Sequence, residues 1–347
     1  MMNVNDWPLA DKGKLFCYLG SHGYRSELYK LFYVATPKVA CTSLKWWFAE
    51  LEGYAQALRE NNTSAETDPE LIIHDTFHKV APNVTGLSPE KLLEPLTSKA
   101  YFRFAVVRNP YKRIFSAWQS KLLLREPLQV APYMNSTFLN LTLENPSDLA
   151  KAFEGFLEHL AANEARAYWD VHWTPQASLL RPDLIEYSKL VKIENAKELS
   201  SALAEWIGPK FVNPFATRSA NESLIPYLSG LVTTRSAELI QSLYAEDFET
   251  FDYSEQPPDT KEAFSADQFK LAIKAIEIIR GRHQRLGEMC RQTVSFNQAI
   301  VERDGVIAER DRVIAERDAV INGVYSSRSW RLTKPLRYIA KFVRKQD

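Results

Sequence analysis

LFYVATPKVACTSLKWW (residues 31–47) and YFRFAVVRNPYKRIFSAW (residues 101–118) decide how this chain folds. Each begins as an apolar, β-rich run, breaks at a proline-marked loop rich in cationic and hydroxyl side chains, and resumes with helical periodicity. A strand–loop–helix unit of this kind aims backbone N–H groups and a helix N-terminus at an anion. Two such units in one chain predict a ligand that carries an anion at both ends.

In the first unit, Phe32, Tyr33, Val34 and Ala35 read as a buried strand, and Pro37 bars its simple continuation. Lys38 supplies a point charge. Thr42 and Ser43 supply hydroxyls expected at the N-cap of a helix that runs to about Glu52. The pattern GxxxxGK[ST] is missing, so this is not a Walker A loop. In the second unit Arg108 ends a strand, and Pro110 opens the next helix at a favoured first-turn position. Arg108 can fork two phosphate oxygens where a lysine cannot.

PKVACTSLK resembles the 5′-phosphosulfate loop of the Golgi-type carbohydrate sulfotransferases, and VVRNPYKRIFSAW resembles their 3′-phosphate loop, written RxPxxRxxSA. Arg108 and Ser116 match its arginine and serine with the same separation. DVHWTPQ (170–176), LVKIEN (190–195) and YAEDFETFDY (244–253) resemble later blocks of the family in the same order, so the likeness covers residues 31–253. It implies a P-loop-like α/β fold with a central parallel sheet flanked by helices. It also implies 3′-phosphoadenosine 5′-phosphosulfate (PAPS) as sulfate donor, with no metal, and a carbohydrate as acceptor. By the same resemblance Lys38, Val39, Ala40, Cys41, Thr42 and Ser43 cradle the phosphosulfate, while Arg108 and Ser116 hold the 3′-phosphate.

Sulfuryl transfer needs charge relief on the leaving phosphate and a base for the acceptor hydroxyl. Lys38 suits the first role. Cys41 reads as a small packing residue, because the reaction needs no thiol nucleophile. For the base, LIIHDTFHK (71–79) offers His74, beside Asp75, and His78. An imidazole suits deprotonation of a sugar hydroxyl, and His74 is the first candidate. His172 is the third; it reads as an acceptor-pocket residue, with Trp173 offering a flat face to a sugar ring. Lys112 and Arg113 assist the 3′-phosphate or face solvent. Glu194 reads as structural, and Tyr244, Phe248, Phe251 and Tyr253 as core. Residues 122–145 are the expected acceptor loop.

The 347 residues carry 43 Lys+Arg against 43 Asp+Glu, which removes any global case for nucleic-acid binding. The balance is uneven. Arg328, Arg331, Lys334, Arg337, Lys341, Arg344 and Lys345 follow one another without an intervening acid, so the body before them is net acidic. Cys17, Cys41 and Cys290 are too few and scattered for a disulfide framework. No secretory h-region or membrane-spanning run is present, so a bacterial cytoplasm is the expected location, with a bacterial surface polysaccharide or glycolipid as acceptor. N-x-S/T triplets, such as those at Asn62 and Asn83, then carry no glycan.

Four parts are expected: a sulfotransferase domain (1–255), a helical extension (256–298) that opens with the QPPDT turn, a heptad helix (299–323) and a basic tail (324–347). The heptad stretch repeats AIVERDG, VIAERDR, VIAERDA, with Ile300, Ile307, Ile314 and Ile321 at one position. Arg303, Arg310 and Arg317 narrow its seam, so a solvated helix and a homodimer seam both remain open. The tail mixes cations with Trp330, Leu332, Leu336, Ile339 and Phe342, as in a basic amphipathic helix that lies peripherally on an anionic membrane. A nucleotide-dependent phosphotransferase and a non-catalytic glycan-binding scaffold stay open as alternatives.

Overall fold

The computed structural model describes residues 7, 9–60, 69–162, 170–216, 223–260 and 264–343. The Asn62 triplet and the tail cations Arg344 and Lys345 lie outside them. In chain order the elements are α1 (Leu9–His22), β1 (Gly23–Ser26), β2 (Leu31–Val34), α2 (Cys41–Leu51), α3 (Ala55–Glu60), α4 (Ile73–Val80), α5 (Pro89–Thr97) and β3 (Phe102–Val107). They continue with α6 (Pro110–Trp118), a π-helical turn (Gln119–Leu123), α7 (Pro127–Val130), α8 (Pro146–Ala162), α9 (Gln176–Leu180), β4 (Lys189–Lys192) and α10 (Ala196–Ile207). Then come α11 (Thr234–Leu243), α12 (Ala245–Thr250), α13 (Ala266–Ser326), α14 (Arg328–Leu332) and α15 (Lys334–Val343).

The sheet has the order β1-β2-β3-β4, with β2, β3 and β4 parallel and β1 antiparallel at the edge. The expected sheet was parallel; the antiparallel β1 arises because the chain turns straight back after Ser26 and pairs Tyr24 with Tyr33. Both quoted runs bury both faces of their strands, as strands covered on each side by helices do. Tyr33, Phe104 and Val106 face α2, α4 and α10 through Leu44, Phe48, Phe77 and Leu203. Phe32, Val34, Ala105 and Val107 face the other way, toward Leu15 and Leu19 of α1, Leu92 of α5 and Leu180 of α9. The register puts Tyr33 opposite Phe104, with stacked rings 5.0 Å apart. Arg103, an apparent intruder in β3, is buried and gives its guanidinium to the carbonyls of Pro95, Ser98 and Glu186.

Parallel strands end at the same sheet edge, so the segments that follow Val34, Val107 and Lys192 open side by side. One buried cation ties the first of these segments to the helix that follows the second, and to the stretch that leads into α9. Arg113 on α6 donates through Nε to Pro37 O (3.2 Å), through one terminal nitrogen to Thr174 O (2.8 Å) and through the other to Val171 O (3.0 Å). It is 1% exposed, so the expectation that it contacts phosphate or faces solvent is corrected. Residues 122–145 are not an open loop either; they fold as the end of the π turn, α7 and two 3₁₀ turns. Arg280 Nε (2.7 Å to Leu123 O) and His283 Nδ1 (2.8 Å to Leu124 O) cap the carbonyl end of the π turn.

The chain divides into two compact units, Met1–Gln284 and Arg285–Asp347. The helix α13 is 61 residues long and runs unbroken past residue 298, where the sequence reading divides extension from heptad helix. In the second unit Ile300, Ile307, Ile314 and Ile321 are all exposed, beside surface ion pairs such as Arg312 with Glu309 and Glu316. The tail forms two helices, because Ser327 and Thr333 each interrupt the path. No helix among the described residues is long and apolar enough to cross a membrane.

Arg113→Met keeps most of the buried volume but leaves three carbonyls without their donor. The expected loss is about 3–5 kcal/mol of unfolding free energy, read by urea titration; a loss below about 1 kcal/mol would show that the guanidinium does not hold these segments.

Candidate active site

Residues 36–40 form the first loop, with left-handed backbone at Lys38 (φ 67°) and Ala40 (φ 49°). The helix α2 starts at Cys41 with Ala40 as its N-cap, and no side chain caps it. The expectation that Thr42 and Ser43 cap this helix is therefore corrected: both stand inside its first turn. The free N–H groups and dipole of such an N-terminus favour an anion. Val39 is buried in the core, so it offers a ligand only its backbone. Cys41 keeps a free thiol.

The second loop docks directly on the first. One terminal nitrogen of Arg108 donates to Lys38 O (3.1 Å), and its remaining guanidinium nitrogens meet no hydrogen-bond partner among the described residues. Gln176 fixes the backbone of Arg108 from both sides, accepting from its N–H (2.9 Å) and donating to its carbonyl (2.9 Å). Behind Gln176, the fully buried Asp247 accepts from Gln176 Nε2 (3.2 Å) and from Ala177 N (2.7 Å). Asn109 caps α6, its Oδ1 accepting from Tyr111 N (3.1 Å) and Lys112 N (3.4 Å). Glu194 accepts from Asn109 N (3.4 Å) and Tyr253 Oη (3.0 Å), which fixes the entry to α6. Ser116 lies in the second turn of α6 and is nearly buried.

Lys38 Nζ donates to Ser120 Oγ (2.9 Å) from the π turn. Burial, and then the neighbouring charge of Lys121, lowers the Lys38 pKa to about 8. Burial also lowers Arg108, although a guanidinium stays charged at neutral pH. Four cations, Lys38, Lys45, Lys121 and Arg108, thus gather around the two loops, linked through their fields to Cys41, His74 and His172. Lys121 is paired with Glu126, and the positive potential that remains favours an anion.

The histidines differ. His74 on α4 meets Lys45 Nζ at Nδ1 (2.8 Å) and Thr42 Oγ1 at Nε2 (3.0 Å). The residue has an exposed outer edge, yet its ring nitrogens are shielded from water, and that desolvation, followed by the charge of Lys45, holds its pKa well below the usual imidazole range. His172 joins Asp170, with Nδ1 2.5 Å from Oδ1 and its backbone N–H 2.9 Å from the same oxygen. Burial lowers the His172 pKa while Asp170 works against that shift. A third imidazole, His22 of α1, stacks on Tyr18 at 4.3 Å and feels the charges of Lys45, His172 and Asp170. His78 lies exposed on α4. Trp173 is 1% exposed, packed against Tyr133 and Phe156, so the flat face expected for a sugar ring is turned into the core.

Sequence reasoning missed Lys45, Ser120, Lys121, Asp170 and Gln176. Lys45 falls seven residues after Lys38, and Asp170 and Gln176 sit in quoted blocks, so those three had a signal. Ser120 and Lys121 had none, because the π turn alone re-aims them.

A family model described as Sulfotransferase family matches residues 21–254. Carbohydrate sulfotransferase 10 of Danio rerio is 24% identical over 246 residues, covering 65% of this chain and 65% of that protein. Carbohydrate sulfotransferase 11 of Mus musculus is 24% identical over 242 residues, covering 66% of each. Carbohydrate sulfotransferase 10 of Homo sapiens is 23% identical over 250 residues, with 67% of this chain and 66% of that protein covered. The chain thus spans just under two thirds of the length of these relatives. No solved structure matches.

The Lys38 charge is present below about pH 8 and lost above it. Affinity for 3′-phosphoadenosine 5′-phosphate (PAP), measured calorimetrically, is expected to fall as pH rises through that value. In Lys38→Arg, which keeps its proton, the alkaline fall should vanish; its persistence would assign the titration elsewhere.

Proposed function

The chain belongs to the sulfotransferase family, and from that premise we propose that it moves a sulfuryl group from PAPS to a hydroxyl of a carbohydrate. The observation that carries this reading is the docking of two anion loops at one sheet edge, with Arg108 bonded to the Lys38 carbonyl. The donor has a phosphosulfate at one end and a 3′-phosphate at the other. The first loop fits the former: its helix has no side-chain cap, and Lys38 lies beside it. Arg108 fits the latter with its open guanidinium nitrogens, and Ser116 stands on the helix that follows. In this reading the pair works as a P-loop-like cradle without a Walker A sequence.

PAPS, when bound, supplies an activated sulfuryl group on a phosphate leaving group. Lys38 then brings positive charge to that phosphate, where negative charge grows in the transition state. Lys121 and Lys45 raise the positive potential of the same region. The acceptor hydroxyl gives its proton to an imidazole of the cleft.

The acceptor fits a bacterial surface polysaccharide or glycolipid made in the cytoplasm beside the membrane, and the tail supplies the means of staying there. In α14 and α15 the cations Arg328, Arg331, Lys334, Arg337 and Lys341 accompany exposed Leu332, Leu336, Tyr338 and Ile339, with no acid among them. Each cation close to an anionic leaflet is worth about 1 kcal/mol. The isoleucine stripe of α13 offers a second copy a narrow seam.

PAP is expected to bind markedly tighter than AMP, since charge-assisted contacts contribute on the order of 1.5–3 kcal/mol each. Arg108→Ala should erase most of that difference, and Lys38→Ala should abolish transfer from PAPS without unfolding the protein. Equal calorimetric affinity for PAP and AMP would sink the donor assignment. Full-length protein should also sediment with vesicles containing phosphatidylserine, come off in high salt, and stay in the supernatant when truncated after Gly323. No sedimentation at low salt removes the membrane contact and leaves the enzymatic reading intact.

A further inference from the structure

We infer that His172, oriented by Asp170, is the general base that takes the acceptor proton, and that His74 is a positioning residue. The inference rests on the sulfotransferase reading and deepens it.

Hydrogen-bond bookkeeping on the two rings carries the argument. An ammonium group has only donors, so the 2.8 Å contact of Lys45 Nζ with His74 makes Nδ1 the acceptor. Nε2 of His74 then carries the hydrogen and gives it to Thr42 Oγ1 at 3.0 Å. Both nitrogens are used, and no lone pair is left for a substrate proton. Protonating Nδ1 would also set an imidazolium against Lys45. What the arrangement does well is hold Thr42, and with it the first turn of α2, against α4.

At His172 the reverse holds. A carboxylate has only acceptors, so Nδ1 carries the hydrogen toward Asp170 Oδ1 at 2.5 Å. The lone pair is therefore on Nε2, which meets no hydrogen-bond partner among the described residues, on a side chain that keeps 18% of its surface open. Asp170 is itself held. Its Oδ1 accepts from the His172 backbone, its carbonyl accepts from Trp173 N and Thr174 N (both 3.1 Å), and Arg113 grips the carbonyls of Val171 and Thr174, which flank His172 and Trp173. An acid that fixes the tautomer and stabilises the imidazolium on one face, with a bare lone pair on the other, is the working arrangement of an orienter and a base. The ring lies in the field of Lys38 from the first loop and Lys121 from the π turn, and His74 and His22 lie in its own. In the step, the acceptor O–H bond breaks and its proton passes to Nε2. The oxygen forms a new bond to sulfur, and the bond from sulfur to the bridging oxygen breaks, its electrons leaving with the phosphate.

The test compares His172→Gln, Asp170→Asn and His74→Gln. In His172→Gln, turnover from PAPS should fall roughly 10²–10⁴-fold while the PAP dissociation constant stays within about twofold, and the acid limb of the kcat/KM profile should disappear. Asp170→Asn removes the charge that favours the imidazolium, so that limb should move to lower pH. A readout independent of turnover is the ¹⁵N spectrum of the protein without donor. The His172 ring should show hydrogen on Nδ1 in the wild type and lose that preference in Asp170→Asn. Full turnover in His172→Gln, or a wild-type ring protonated at Nε2, overturns the inference while PAP binding and sulfate transfer by the wild type keep the sulfotransferase reading standing. A wild type that neither binds PAP nor transfers sulfate brings down both.

Discussion

A single buried guanidinium organises this molecule. Arg113 reaches from the middle of α6 to carbonyls in two segments distant in sequence, at Pro37 and at Val171 and Thr174. A carbonyl in a buried loop needs a donor, and loops between parallel strands have no ladder to provide one. Arg113 answers that need three times over, and so decides where Lys38 and His172 stand relative to the helix that carries Ser116. The chain is otherwise a sheet with conventional helical cover; this contact ties the loop after β2 and the segment before α9 to the helix that follows β3.

Charge distribution follows from the same geometry. Lysines at positions 38, 45 and 121 approach from the first loop, from α2 and from the π turn, and burial, with the charges of Lys121 and Arg108, depresses Lys38. His74, kept neutral between Lys45 and Thr42, adds bulk and hydrogen bonds without adding charge. The cations of this cleft are held at some cost in burial.

Most of the sheet could be read from residue order. LFYV is an unbroken apolar run and FRFAVV is broken only by Arg103, the pattern expected of strands buried on both faces. The helices at 149–160 and 196–206 appear within a few residues of where periodicity puts them. The unreadable part depends on contacts between distant residues. Nothing in Arg113 distinguishes a phosphate ligand from a buried clamp, since both are an arginine on a helix after a strand. Trp173 sits in a motif of polar neighbours, and its burial is decided by Tyr133 and Phe156, which a linear reading cannot bring near it. The short edge strand GYRS has no apolar pattern of its own and exists because β2 is there to pair with it.

The π turn at Gln119–Leu123 carries a consequence for descent. A π turn is an α-helix with one residue too many, usually kept because it re-aims the side chains beyond it. Gln119 pins it to Ile225 through both ends of its amide, at 2.7 and 3.0 Å. Loss of one residue here would restore ordinary helical winding and swing Ser120 and Lys121 by ~100° about the axis. The core beneath would survive, yet Lys38 would lose the hydroxyl that now accepts its hydrogen bond. A descendant with that deletion would be indistinguishable from its parent in fold and in both quoted loops, and still differ in the chemistry of its cleft.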